Sequence, residues 1–193
     1  MLPENIIYLS VFVTLTAYFF YFKNLFYGNT KPNLVSWVLW ALAPFLGIFF
    51  SAKAGAGLSL IPVFLAGFCP LVVVIVSIFN KNSYWKLTSL DLFCGLLSLL
   101  ALVFYVFTHN LVISIIFVIL SDGLAAIPTI IKSWKFPETE TASVYLAGIF
   151  AQTLALLIIK NWIFSIYSLN IYFIVVNLII VFSIYRRKIF KSN

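Results

Sequence analysis

The chain has 193 residues, 64% of them hydrophobic and 9% charged, with a mean hydropathy of +1.13. That composition excludes a soluble globular domain and describes an integral membrane protein whose whole length goes into one helical bundle. The formal charge of +7 does not indicate a nucleic-acid partner, because the basic residues sit singly or in small groups within short connections.

Seven apolar stretches approach the roughly 20 residues that carry a helix across about 30 Å of hydrocarbon. They run from about Ile6 to Phe22, Leu34 to Ser51, Leu58 to Phe79, Leu87 to Thr108, Leu111 to Ile131, Thr141 to Ile159 and Ile163 to Tyr185. Glu4 and the absence of Lys or Arg before Ile6 do not fit a cleavable leader, so the first stretch is expected to stay as a helix. The break at His109-Asn110 is so tight that helices four and five must form a hairpin. Lys23, Lys31, Lys81, Lys86, Lys132, Lys135, Arg186, Arg187, Lys188 and Lys191 fall on one side of the bundle, and only Lys53 and Lys160 on the other. Cytoplasmic loops retain positive charge, which predicts an N-terminus outside and a C-terminus in the cytoplasm, in a cell (inner) membrane.

Sliding the chain on itself by about 108 residues lays the first three spans over the last three. Residues 1–80 then form one triple-helix repeat, 81–110 a linker helix, and 111–193 a second repeat with a basic tail. Thr14, Ala17, Tyr18 and Tyr21 fall on Asp122, Ala125, Ala126 and Thr129, so each copy carries a stripe of polar and small residues. Trp37, Trp40 and Pro44 fall on Tyr145, Gly148 and Gln152, and Cys69 falls on Asn177. An odd number of spans separates the copies, which therefore run parallel. The expected fold is an all-α membrane protein of seven helices, arranged 3+1+3.

Ser121 to Thr129 is the most informative segment. An ionised Asp122 at the depth of a bilayer centre costs at least a few kcal/mol. It reads either as a proton-titrating or cation-binding group, or as a neutral acid hydrogen-bonded to Thr14 or Asn177. Pro128 and Pro44 interrupt helical hydrogen bonding, as hinges or as simple bends. Gln152, Asn170 and Asn177 serve as ligand contacts or as glue between helices. Trp37 reads as an interfacial anchor or as a ring that stacks on a solute, while Trp40, one turn deeper, either stacks on a solute or packs. Asp91 is expected to reach toward Lys86 in solvent, His109 to lie in an outer turn, and Glu138 and Glu140 to cap helix six and pair in the loop. Cys69 and Cys94 have no metal-ligand spacing and are expected to pack.

The 3+1+3 pattern, with Tyr18 to Asn24, Thr30 to Trp37, Trp40-Ala41, Asp122 to Ile130 and Pro137 to Glu140, resembles the PQ-loop and SWEET (MtN3-type) transporter superfamily, and within it small bacterial multi-pass proteins. Phe19-Phe20 stand where that pattern has a proline at the end of helix one, and Thr129 follows Pro128 where it has glutamine. The resemblance implies a small-solute transporter or facilitator with alternating access around a midplane cavity. Thr14, Tyr18, Trp40, Gln152 and Asn177 would line that cavity, Asp122 would couple protons or cations, and Pro44 and Pro128 would bend. It implies a bilayer and a small solute as partners, no nucleic acid and no cofactor or metal. Both repeats in one chain complete a path, so no oligomeric state is required. The alternative is a non-transporting membrane receptor or assembly factor. An intramembrane enzyme fits less well, since there is no His-rich cluster, no paired acidic motif and no Gly-x-Ser-x-Gly elbow.

Overall fold

The computed structural model describes residues 3–53, 55–80, 85–108 and 110–190. Among the described residues seven α-helices follow in order: α1 Ile7–Phe26, α2 Leu34–Lys53, α3 Leu60–Phe79, α4 Ser89–Phe107, α5 Leu111–Lys135, α6 Ser143–Ile158 and α7 Phe164–Phe190. No strand occurs among the described residues. Among the described residues five stretches are long and apolar enough to cross a membrane, within Glu4–Phe26, Leu34–Lys53, Gly57–Phe79, Leu111–Lys135 and Phe164–Phe190. Helix α6, Ser143–Ile158, is apolar but shorter. His109, with Lys81 and Lys191 of the charge count, lies outside the described residues.

The outer surface is that of a protein solvated by lipid. Phe12, Phe19, Phe79 and Phe107 are each more than 60% exposed, whereas Asp91, Asp122, Lys132 and Glu140 are buried. Hydrocarbon accepts the aromatic exterior, and polar groups withdraw inward to find partners.

Local sequence sets the helix ends. Gly28 adopts φ +73° after α1, its N–H donates to the Leu25 carbonyl at 3.1 Å, and Asn29 N–H donates to the Asn24 carbonyl at 2.9 Å. That pair of bonds is a Schellman stop, which needs a residue free to enter the left-handed region. Asn33 caps α2 by accepting from Val35 and Ser36 N–H. Thr88 and Asp91 form a reciprocal capping box at the start of α4. Asn110 caps α5 by accepting from Val112 and Ile113 N–H.

Three helix ends lie more than two residues beyond the sequence reading. Helix α1 runs on to Phe26, α5 to Lys135 and α7 to Phe190, because Lys and Arg are good helix formers and the neighbouring turns are packed. Lys132 therefore belongs to a helix and not to a loop.

α2 packs on α3 and α5, α6 on α7 and α1, α4 on α5, α5 on α7, and α1 on α3. The α4–α5 hairpin is joined by Ser98, whose hydroxyl donates to the Ser121 carbonyl at 2.5 Å. At one end of the bundle Asn80 Nδ2 donates to the Leu25 carbonyl, Asn33 Nδ2 to Asp91 Oδ1, Asn24 Nδ2 to Thr141 Oγ1 and Arg187 to the Lys135 carbonyl. This end holds Lys23, Lys31, Lys86, Lys132, Lys135 and Arg186 to Lys188, and is called the basic end below. At the other end Ile7, Leu154, Ala155 and Ile158 form a small apolar cluster, and Glu4 pairs with Lys160.

Candidate functional site: a central cavity above a buried ion pair

The middle of the bundle holds a cavity bounded by α1, α2, α3, α5, α6 and α7. Thr14, Tyr18, Trp40, Asp122, Gln152 and Asn177, picked from the sequence as site residues, all border it. Its volume traced by water centres is about 80 Å³, room for several waters on a scale where one needs about 10–15 Å³. Pro44 and Pro128 lie inside α2 and α5 and are buried away from the cavity lining. Two other prolines, Pro62 and Pro70 of α3, do border it. Pro70 has no N–H for the Ala66 carbonyl one turn back, and Ala66 is part of the same wall.

Asp122 is 2% exposed. Its expected partners were Thr14 and Asn177; instead the Tyr172 hydroxyl donates to Oδ2 at 2.7 Å. Oδ1 is buried and has no partner among the described residues, and the same holds for Thr14 Oγ1. Asn177 Nδ2 donates back to the Phe173 carbonyl at 2.7 Å within α7. Gly148 makes room for that amide, since a Cβ on it would meet Asn177 Nδ2 at 2.9 Å. Asn170 Nδ2 donates to Gln152 Oε1 at 2.9 Å, tying α7 to α6. Gln152 thus spends its acceptor on another helix while also facing the cavity.

Aromatic rings make one continuous wall. Trp37 meets Tyr18 at 6.5 Å and 87°, Trp40 at 5.5 Å and 72°, and Trp40 meets Tyr145 at 6.4 Å and 76°. Trp37 is 1% exposed, which corrects its reading as an interfacial anchor: helix α2 turns it inward onto Tyr21, 5.0 Å away. Edge-to-face rings of this kind hold one another in place.

Toward the basic end the cavity is floored by a polar cluster that sequence spacing did not reveal. Lys132 Nζ lies 2.5 Å from Glu140 Oε2, with both side chains essentially inaccessible. The hydroxyls of Tyr145 and Tyr21 donate to Glu140 Oε1 at 3.1 and 3.3 Å. Lys132 also donates to the Lys31 carbonyl and lies over the Trp85 ring, 5.1 Å from its centroid. Glu140 is therefore not a helix cap, and α6 has no side-chain cap at all. Glu138 does pair in the loop, 3.9 Å from Arg187 and exposed.

Asp91 likewise departs from its expected place in solvent beside Lys86. It is 4% exposed, accepts from Asn33 Nδ2 at 2.9 Å and bonds the Thr88 N–H at 2.6 Å. The Thr88-x-x-Asp91 spacing is a capping-box signal and would have identified it. Cys69 and Cys94 are free and buried.

Neither a family model, nor a curated protein, nor a solved structure matches the chain.

Proposed function

We propose that the protein is a small-solute membrane transporter or facilitator of the PQ-loop and SWEET type, built 3+1+3 and working by alternating access around the central cavity. The observation that carries this reading is that both halves of the chain line that cavity, with corresponding positions among the lining residues. At the repeat spacing of about 108 residues, Thr14 corresponds to Asp122, Trp37 to Tyr145, Trp40 to Gly148 and Leu65 to Phe173, and both members of these four pairs border it, while the counterparts of Tyr18, Pro62, Ala66 and Pro70 do not. The helix packing supports the same duplication. Exchanging α1, α2 and α3 for α5, α6 and α7 turns α2–α3 into α6–α7, α1–α6 into α5–α2, and α1–α3 into α5–α7, and all of these pairs are in contact.

In this reading the basic end is cytoplasmic, because it holds the larger share of Lys and Arg. It is closed here by the two inter-helix loops. Lys31 N–H donates to the Thr139 carbonyl at 3.0 Å, Thr30 and Thr141 hydroxyls are bonded, and Lys132 with Glu140 stands between them and the cavity. Opening toward the cytoplasm separates these contacts while the cavity residues turn to the new side. Asp122 is the coupling group if transport is driven by protons.

The experiment is flux across a broad metabolite panel in proteoliposomes. Identical uptake and exchange by vesicles with and without the protein would sink the proposal. The alternative, a non-transporting receptor or assembly factor, draws on the bonded pairs Gln152–Asn170, Tyr172–Asp122 and Lys132–Glu140, which suit a static bundle. It requires a dry centre: a cysteine at Ala66, on the cavity wall, would resist water-soluble thiol reagents from both sides.

A further inference from the structure

The charge balance of the cavity constrains what it can hold. Among its described lining residues Asp122 is the only carboxylate, and none is Lys, Arg or His. The Tyr172 hydroxyl that reaches Oδ2 is a neutral donor and does not compensate the charge, and Oδ1 has no partner. On α5 the next basic residue is Lys132, ten positions on or about 15 Å at the helical rise, and Glu140 already neutralises it.

Several ligand classes fail on these terms. A carboxylate or phosphate would enter beside Asp122 with no cation to receive it, and burying an unpaired charge is costly. A polyol could use Thr14 Oγ1 and Trp37 Nε1, which have no partner among the described residues, but it would leave the Asp122 carboxylate uncompensated. A bare metal ion needs six or more oxygens, or a cluster of ligating side chains, and no group of three His, Cys, Asp or Glu occurs among the described residues.

The remaining features favour one class together. Tyr18, Trp37, Trp40 and Tyr145 set near-perpendicular rings around the space. Aromatic faces carry negative quadrupole potential and attract weakly hydrated cations, most strongly where water is excluded. The geometry points to a compact monovalent organic cation as the solute, an ammonium or N-alkylated heteroaromatic ion lacking carboxylate and phosphate, with Asp122 as counter-ion and the Trp37–Trp40 wall as its cage. This rests on the cavity being the solute site of the transporter proposed above.

The test uses the full chain in lipid nanodiscs, titrated with choline, tetramethylammonium and N-methylpyridinium, and with 3,3-dimethylbutan-1-ol, the neutral isostere of choline. Binding is read by thermal shift and by tryptophan fluorescence. At least one of the cations is expected to bind at millimolar concentration or below, and choline to bind about tenfold or more tightly than its isostere. Asp122→Asn should remove that preference. Trp40→Leu should weaken the cation without restoring the neutral compound, which also covers the case in which Asp122→Asn fails to fold. Absence of binding by all three cations, or equal binding of choline and its isostere, overturns the inference. Flux separates the two readings. A cation that binds with the stated preference but is not carried refutes transport and leaves the cation site standing. Flux of a neutral solute that survives Asp122→Asn overturns the cation inference and leaves transport standing.

Discussion

Glu140→Gln is the most informative single change at the floor of the cavity. The substitution preserves shape and keeps an acceptor for the Tyr21 and Tyr145 hydroxyls, but leaves the Lys132 ammonium, among the described residues, with the Lys31 carbonyl and the Trp85 face. At the 2.5 Å separation of Nζ and Oε2, an effective dielectric of about 20 gives an attraction of about 7 kcal/mol. Relaxation reduces this, and removing one partner of a buried pair costs about 3–5 kcal/mol where it has been measured. The expected loss is therefore about 3–5 kcal/mol in a denaturing-detergent unfolding titration. The double variant Lys132→Met with Glu140→Leu should regain most of it, since an apolar pair of similar volume carries no stranded charge. A loss below about 1 kcal/mol, the range of exposed pairs, or a double variant as unstable as the single one, would refute the argument that the pair is buried and mutually dependent.

Gly95→Ala should destabilise the α2–α4 contact by about 1–3 kcal/mol, because a Cβ there would lie 2.7 Å from Val35 Cγ1; adding Val35→Ala should recover stability in the same titration. Asn33→Ala removes the α2 cap and strands Asp91 Oδ1, for a combined loss of about 2–4 kcal/mol. Unfolding that matches the parent protein would show that neither contact matters. In proteoliposomes, Asp122→Asn should abolish pH-driven accumulation of the transported solute while exchange continues, and equal accumulation by both proteins would rule out coupling through this carboxylate.

Residues with strong local signals could be read from the chain. Asp122 was singled out because a carboxylate amid apolar residues is anomalous wherever the bundle places it, and Gln152 and Asn177 for the same reason. Their convergence with Thr14, Tyr18 and Trp40 on one cavity followed from helical periodicity, which fixes which side chains share a face. Partners were a different matter. Tyr172 was passed over because a tyrosine in an aromatic-rich helix gives no sign of which way its hydroxyl points. Trp37 was read by its depth alone, and its rotation about α2, set by Tyr21, Tyr18 and Trp40, overrode that reading. Asp91 was legible in Thr88-x-x-Asp91 and was missed only because its neighbour Lys86 offered a simpler partner.

The sequence by itself determined that this is a helical membrane protein, where its seven helices begin and end to within a few residues, and which polar side chains sit at mid-helix. Hydropathy, caps and Gly28 are local properties, and the chain states them directly. Tertiary structure alone decided that Lys132 and Glu140, separated by a helix end and a turn, meet as a buried pair beneath the cavity. It also decided that Tyr172 rather than Thr14 or Asn177 holds Asp122. In hydrocarbon polar side chains turn into the bundle, and which partner each meets there depends on the rotation of each helix about its own axis, a quantity fixed only when all the neighbouring helices are packed.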